Sequence, residues 1–175
     1  MTAIKNKYLT KGSDDAPLKL EAFLNLACPG SAAFYNYAKE ILPAYIENGQ
    51  IQYIVKLYDK PREELLPGTL VHLALDYSKP EETFQIIDKL YATQPEWRDL
   101  PDKEIKALLI REYNQQQEER KENTAISLSI TGEAIERDVQ GVPTIFINGE
   151  RKALTFPLQE EQVKTIIEEE VAKLK

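Results

Sequence analysis

Residues 21–34 read EAFLNLACPGSAAF. The apolar period changes inside this stretch. Leu18, Leu20, Ala22, Leu24 and Leu26 share one parity, while Lys19, Glu21 and Asn25 share the other, with Phe23 as its one apolar member. That alternation of two predicts a strand ending just before Cys28. After Ser31 the pattern becomes helical, with Phe34, Tyr37, Ala38, Ile41 and Tyr45 recurring on one face. Cys28-Pro29-Gly30-Ser31 therefore sits at a strand-to-helix junction, and Cys28 is the one cysteine in the chain.

Working outward, Pro43 should kink the helix, because proline lacks the N–H that the helical ladder uses. Asn48-Gly49 should stop it, since both residues tolerate the left-handed C-terminal conformation. Ile51, Tyr53, Val55 and Leu57 then alternate, with Ile54 on the other face, and predict a second strand. Strand, helix, strand is a βαβ unit, which implies a parallel pair and a right-handed crossover. Upstream, Gly12-Ser13-Asp14-Asp15 reads as a turn, with an edge strand over Lys7 to Thr10 before it.

Residues 60–138 are mostly helical in character. Leu65, Leu66, Leu70, Leu73 and Ala74 predict one helix, and Phe84, Ile87, Leu90 and Tyr91 a second that opens near Pro80. Ile105, Leu108, Leu109 and Tyr113 predict a third. Gln115 to Glu122 reads as a solvated polar face, and from Asn123 to Gly132 Thr and Ser mix with Ile at no clean period. Near the end, Thr144-Ile145-Phe146-Ile147 predicts a strand. Asn148-Gly149 predicts a type I′ hairpin turn, with Arg151 to Leu154 as the return strand. Val163, Ile166, Ile167, Val171 and Leu174 form the apolar face of a terminal helix. The expected fold is α/β, with a mixed sheet and helices on both faces.

The chain has 175 residues, which fits one domain with an insertion. Hydrophobic residues are 42% and charged residues 29%, ordinary values for a soluble globular protein. A net charge of −7 argues against nucleic acid or an anionic membrane as the main partner. No stretch approaches the ~20 apolar residues of a membrane helix, and MTAIKNKYLTKGSDD shows no secretory h-region. With one cysteine there is no intrachain disulfide, so the expected location is cytoplasmic, where thiols stay reduced. One Cys and one His cannot complete a zinc site.

A cysteine at a helix start is electrostatically special. Unpaired backbone N–H groups and the helix dipole favour the anion, which is the nucleophilic form of a thiol. Pro29 suits the first helical turn because it has no N–H to leave unpaired. Gly30 removes side-chain bulk beside the sulfur and so opens access to a large partner. Ser31 is placed to donate a hydroxyl hydrogen bond to the sulfur. The plainer alternatives are a small buried hydrophobe at Cys28, a simple Pro-Gly turn, and a capping Ser31.

A second motif, GVPTIFING, spans Gly141 to Gly149. Pro143 cannot donate to a sheet and so belongs at the strand start. A cis Val142–Pro143 bond would present the Val142 backbone N–H and C=O beside the sulfur, where an extended peptide could pair with them.

Taken together, EAFLNLACPGSAAF, the helical insertion and GVPTIFING resemble the DsbA-like branch of the thioredoxin superfamily over essentially the whole chain. The resemblance implies a thioredoxin-like domain over 1–59 and 139–175, with a helical insertion over 60–138 capping the active-site side. It further implies thiol–disulfide exchange at Cys28, a cis Pro143, and Val142 and Pro143 against the substrate. Cys28 and Ser31 are then the catalytic pair, and Pro29, Gly30, Val142 and Pro143 the substrate-contacting set.

The sequence departs from that family at Ser31, where the resolving cysteine is missing. A hydroxyl cannot form a disulfide, so a dithiol oxidase or reductase is excluded, and a mixed disulfide at Cys28 needs an external thiol to resolve it. The expected partners are protein thiols and disulfides or an extended peptide, with glutathione as candidate co-substrate and no other cofactor. Two alternatives remain at this level: a non-catalytic peptide-binding module, and a glutathione-transferase-like enzyme. Glu21 reads as a surface strand residue, His72 as a structural or surface helix residue, and Trp97, Tyr35, Tyr37, Tyr45, Tyr58 and Tyr91 as core or rim.

Overall fold

A computed structural model describes residues 8–115 and 120–175. Among them, five strands form one mixed sheet in the order β1-β3-β2-β4-β5. The central strand, β2 (Leu18–Leu24), runs parallel to β3 (Ile51–Leu57) and antiparallel to β4 (Thr144–Ile147). The short edge strands β1 (Leu9–Lys11) and β5 (Glu150–Lys152) pair antiparallel to β3 and β4. Lys7 and residues 116–119, half of the polar run 115–122, lie outside the described residues, while Leu9 and Thr10 of the expected edge strand fall in β1.

The register explains the two faces. Leu20 pairs with Tyr53 and Ile147, and Ala22 with Val55 and Ile145. These residues share one face and are buried. Helix α1 (Pro29–Ile41) covers that face and packs against α8 (Glu160–Ala172). Glu21 and Phe23 point the other way, where α7 (Lys121–Glu136) lies across the sheet. Phe23 meets Phe146 edge-on there, with ring centroids 6.0 Å apart.

Pro43 does more than kink the first helix. Helix α1 stops at Ile41, and a separate short helix, α2 (Pro43–Glu47), starts at the proline. The turn at Asn48-Gly49 precedes β3. The second Asn-Gly closes the β4–β5 hairpin with positive φ at both residues, 49° for Asn148 and 83° for Gly149. The return strand begins at Glu150 and ends at Lys152, earlier than the sequence pattern suggests.

Between β3 and β4 the chain is helical. After a 3₁₀ turn at Glu63–Leu65 come α3 (Leu66–Ala74), α4 (Pro80–Ala92), the short α5 (Gln94–Trp97), α6 (Asp102–Tyr113) and α7. Trp97, Tyr35 and Tyr91 are buried where this block meets the sheet domain, and Tyr35 and Tyr91 stack with centroids 4.8 Å apart. Burial of each such side chain contributes about 1.5–3 kcal/mol. Among the described residues, no helix is long and apolar enough to cross a membrane.

Glu21 is not a surface residue. Its side chain is 15% exposed and bonds Arg137 and Lys56, while Lys56 also meets Glu133 of α7. Arg137 bridges Glu21 and Glu133 at 2.7 and 3.0 Å. The parity of β2 places Glu21 correctly; α7 turns that face into an interior.

Candidate functional site

Cys28 ends the loop that leaves β2. Its backbone is extended (φ −84°, ψ 121°), and it is the N-cap residue of α1, with Pro29 as the first helical residue. The sulfur accepts the Ser31 amide N–H at 3.4 Å, the role a serine or aspartate oxygen plays in an ordinary N-cap. The thiol in turn lies 3.5 Å from the Val142 carbonyl oxygen, to which it can donate. Cys28 is partly exposed, Pro29 is exposed, and Ser31 is fully buried.

The Ser31 hydroxyl is not bonded to the sulfur as the sequence suggests. It faces inward and accepts the Asn25 backbone N–H at 3.2 Å. Ser31 thus reaches the sulfur through its main chain and ties down the preceding loop through its side chain.

Gly30 also differs from the expectation of open space beside the sulfur. A Cβ there would lie 3.1 Å from Pro143 Cδ and 3.2 Å from Phe156 Cε1. The missing side chain lets the Pro143 loop and Phe156 close in on the helix start. Phe156, 56% exposed, forms an aromatic rim that the sequence reading did not single out. The Val142–Pro143 peptide is cis, Pro143 is buried and Val142 is partly exposed. Thr144 Oγ1 donates to the Gly141 carbonyl at 2.7 Å, and Lys60 Nζ to the Gln140 carbonyl, so this loop is tied at both ends.

Beside the sulfur lies a cleft of about 170 Å³ lined by Cys28, Pro29 and Val142 together with Lys60, Arg62 and Arg98. Glu64 is its one acidic lining residue. In a chain with net charge −7 the lining of this cleft is therefore locally cationic.

The loop before Cys28 is held with unusual completeness. Gln94 Nε2 donates to the Leu26 carbonyl at 2.7 Å and to the Cys28 carbonyl at 3.0 Å. Arg98 Nε donates to the Ala27 carbonyl at 3.1 Å. The Leu26 N–H donates to His72 Nε2 at 3.1 Å, and the Ala27 N–H to Asn25 Oδ1 at 2.9 Å. Gly68 on α3 permits this approach, since a Cβ there would fall 1.9 Å from Asn25 Oδ1 and 2.9 Å from the Ala27 nitrogen. Gln94, Arg98, His72 and Gly68 are not legible as part of the site from their local sequence, because each acts across more than forty positions.

Residues 5–169 match the family model described as thioredoxin. The chain belongs to the thioredoxin family. No curated protein matches the sequence. Among solved structures, a conserved protein of unknown function from Enterococcus faecalis V583 is 29% identical, with a TM-score of 0.80 over 91% of this chain and 89% of that one. A periplasmic thioredoxin-like protein from Salmonella enterica serovar Typhimurium is 16% identical, with a TM-score of 0.71 over 96% and 92%. A protein-disulfide isomerase from Novosphingobium aromaticivorans is 15% identical, with a TM-score of 0.66 over 94% and 97%. This thioredoxin-family chain shares its fold, a mixed sheet with a helical block between β3 and β4, with these solved structures. The cytoplasmic location expected from the sequence finds no support here, since one of the similar proteins is periplasmic.

Proposed function

We propose that this thioredoxin-family protein is a single-thiol thiol–disulfide exchange protein acting through Cys28. The observation that carries the reading is the placement of the sulfur: capped by the Ser31 N–H at 3.4 Å, faced by the Val142 carbonyl at 3.5 Å, and open to a cleft. The amide stabilises a thiolate, and the Val142 backbone offers an edge for an extended chain.

The chemistry is a pair of exchanges. The Cys28 thiolate attacks one sulfur of a disulfide, the S–S bond breaks, and the departing thiolate takes a proton. A second, external thiolate then attacks the mixed disulfide and regenerates Cys28. With no cysteine at position 31, both steps are intermolecular, and no internal disulfide can store oxidising equivalents. Lys60, Arg62 and Arg98 suit a partner that carries carboxylates, such as glutathione or an acidic protein segment.

Trapping tests this reading. Protein isolated under thiol-blocking conditions should carry disulfide-linked partners through Cys28, and Cys28→Ala should carry none. A protein recovered only as free thiol would overturn it. A second reading, a peptide-binding module with an incidental thiol, draws on the exposed Phe156 beside Gly30 and Val142. It predicts that Cys28→Ala keeps every partner.

A further inference from the structure

We propose that His72 is a positioning residue for Cys28: as acceptor for the Leu26 amide, its neutral imidazole fixes the loop that sets the sulfur at the mouth of α1. The inference uses the thiol of the preceding reading only as a reporter of geometry.

The backbone of residues 25–28 leaves little slack. The Asn25 N–H goes to Ser31 Oγ, the Ala27 N–H to Asn25 Oδ1 and the Cys28 N–H to the Asn25 carbonyl. Those three bonds stay within the segment 25–31. Leu26 is different. Its amide is buried two residues before Cys28 and is satisfied by a side chain from α3. Removing that acceptor would strand a buried N–H in an otherwise closed network.

The ring is itself held from several sides. His72 is 3% exposed, and Nδ1 lies 2.6 Å from Asp59 Oδ1, in the segment after β3. Asp59 Oδ2 accepts the Ser127 hydroxyl of α7 at 2.5 Å. Asn123 of α7 donates to the His72 carbonyl at 2.9 Å. The Leu26 N–H can only donate, so Nε2 must carry a lone pair, and the ring proton sits on Nδ1, aimed at Asp59. The ring Nδ1–H and the Ser127 hydroxyl reach the two oxygens of Asp59, which suits a carboxylate that only accepts. An ionised Asp59 is the acceptor that this tautomer requires.

The Asp59–His72 pair is not a hydrolytic relay. Nε2 is occupied by a backbone amide, and Ser127 bonds the carboxylate rather than the ring. What the pair does is join α3, α7 and the segment after β3 to the loop before Cys28.

The chain contains one histidine, so its ring nitrogens can be read in a ¹⁵N-labelled sample with no assignment step. The wild-type protein at neutral pH should show a protonated Nδ1 and an unprotonated, hydrogen-bonded Nε2; the opposite tautomer would overturn the proposal. In His72→Leu, which keeps bulk and removes the acceptor, the Leu26 amide should exchange at least tenfold faster, and Cys28 alkylation by iodoacetamide should slow roughly fivefold, about the worth of one capping bond. His72→Gln can return an oxygen to the Nε2 position and should restore both rates to within about twofold. Wild-type rates in His72→Leu, or equal losses in both variants, would overturn the assignment. If His72→Leu does not fold, the wild-type tautomer and the His72→Gln rates still decide. Alkylation needs no disulfide partner, so failure of the exchange reading would leave this result standing, and the reverse.

Discussion

The central strand β2 has buried polar groups at both its middle and its end, and it buries them by opposite means. At its end, residues 25–28 are held by neutral hydrogen bonds from Asn25, Ser31, His72 and Gln94, with Arg98 as the one cation. In its middle, Glu21 is held by charge, in a cluster with Lys56, Glu133 and Arg137 to which Tyr8 also donates. Directional neutral bonds fix where atoms lie, and they change little with salt. Compensated charges fasten α7 to the sheet, and removing one partner leaves a buried charge exposed to the full cost of desolvation. The first region sets geometry at the thiol; the second sets stability.

The largest expected effect lies in the second region. Lys56→Met leaves Glu21 and Glu133 with Arg137 alone as their shared cation, and should cost about 3–5 kcal/mol in urea unfolding. The folded fraction should still alkylate Cys28 at the wild-type rate. A parallel fall in that rate would show that the two regions are not separate.

Gly68→Ala is expected to do the reverse. Its Cβ would collide with Asn25 Oδ1 and crowd the Ala27 nitrogen. A loss of roughly 1–3 kcal/mol should come with measurably slower Cys28 alkylation. Gln94→Leu strips one donor from two carbonyls of the same loop. It should cost about 1–3 kcal/mol, again with a change at the thiol.

Acid should also separate the regions. Burial raises the Glu21 and Glu133 carboxyls, but Arg137 and Lys56 for the first, and Lys56, Tyr8 and Arg137 for the second, hold both below the ordinary glutamate value. Groups depressed in the folded state contribute stability above the unfolded value, about pH 4.3, and lose it as pH falls through the folded values. Stability should therefore drop below about pH 4.3, less steeply in Glu133→Gln. The smallest effect is expected at Leu128 and Ile135, 68% and 72% exposed on α7. Lysine at either position should change stability by no more than about 0.5 kcal/mol.

Much of the fold is legible in the sequence, because the apolar period switches cleanly from two to 3.6 across Cys28 and back again at Ile51. The two Asn-Gly pairs likewise mark real turns. Helix α7 is not legible, although it is a long helix. Its buried stripe is Asn123, Ile126, Ile130 and Ala134, but the exposed Leu128 and Ile135 sit out of phase and erase the period. Missing α7 also hides the fate of Glu21, whose partner Arg137 lies more than a hundred positions away. At the site, Cys28 and the Val142-Pro143 pair stand out as motifs. His72, Gln94, Arg98 and Gly68 carry no local signal, because each is ordinary in its own helix and acquires its role only where that helix meets the cysteine loop.

The most direct test of the central claim is reaction of the reduced protein with glutathione disulfide, followed by intact mass. The account predicts one glutathione adduct, located at Cys28, that accumulates because position 31 offers no thiol and that disappears when reduced glutathione is added. A sulfur that stays free through this treatment in the folded protein would contradict it.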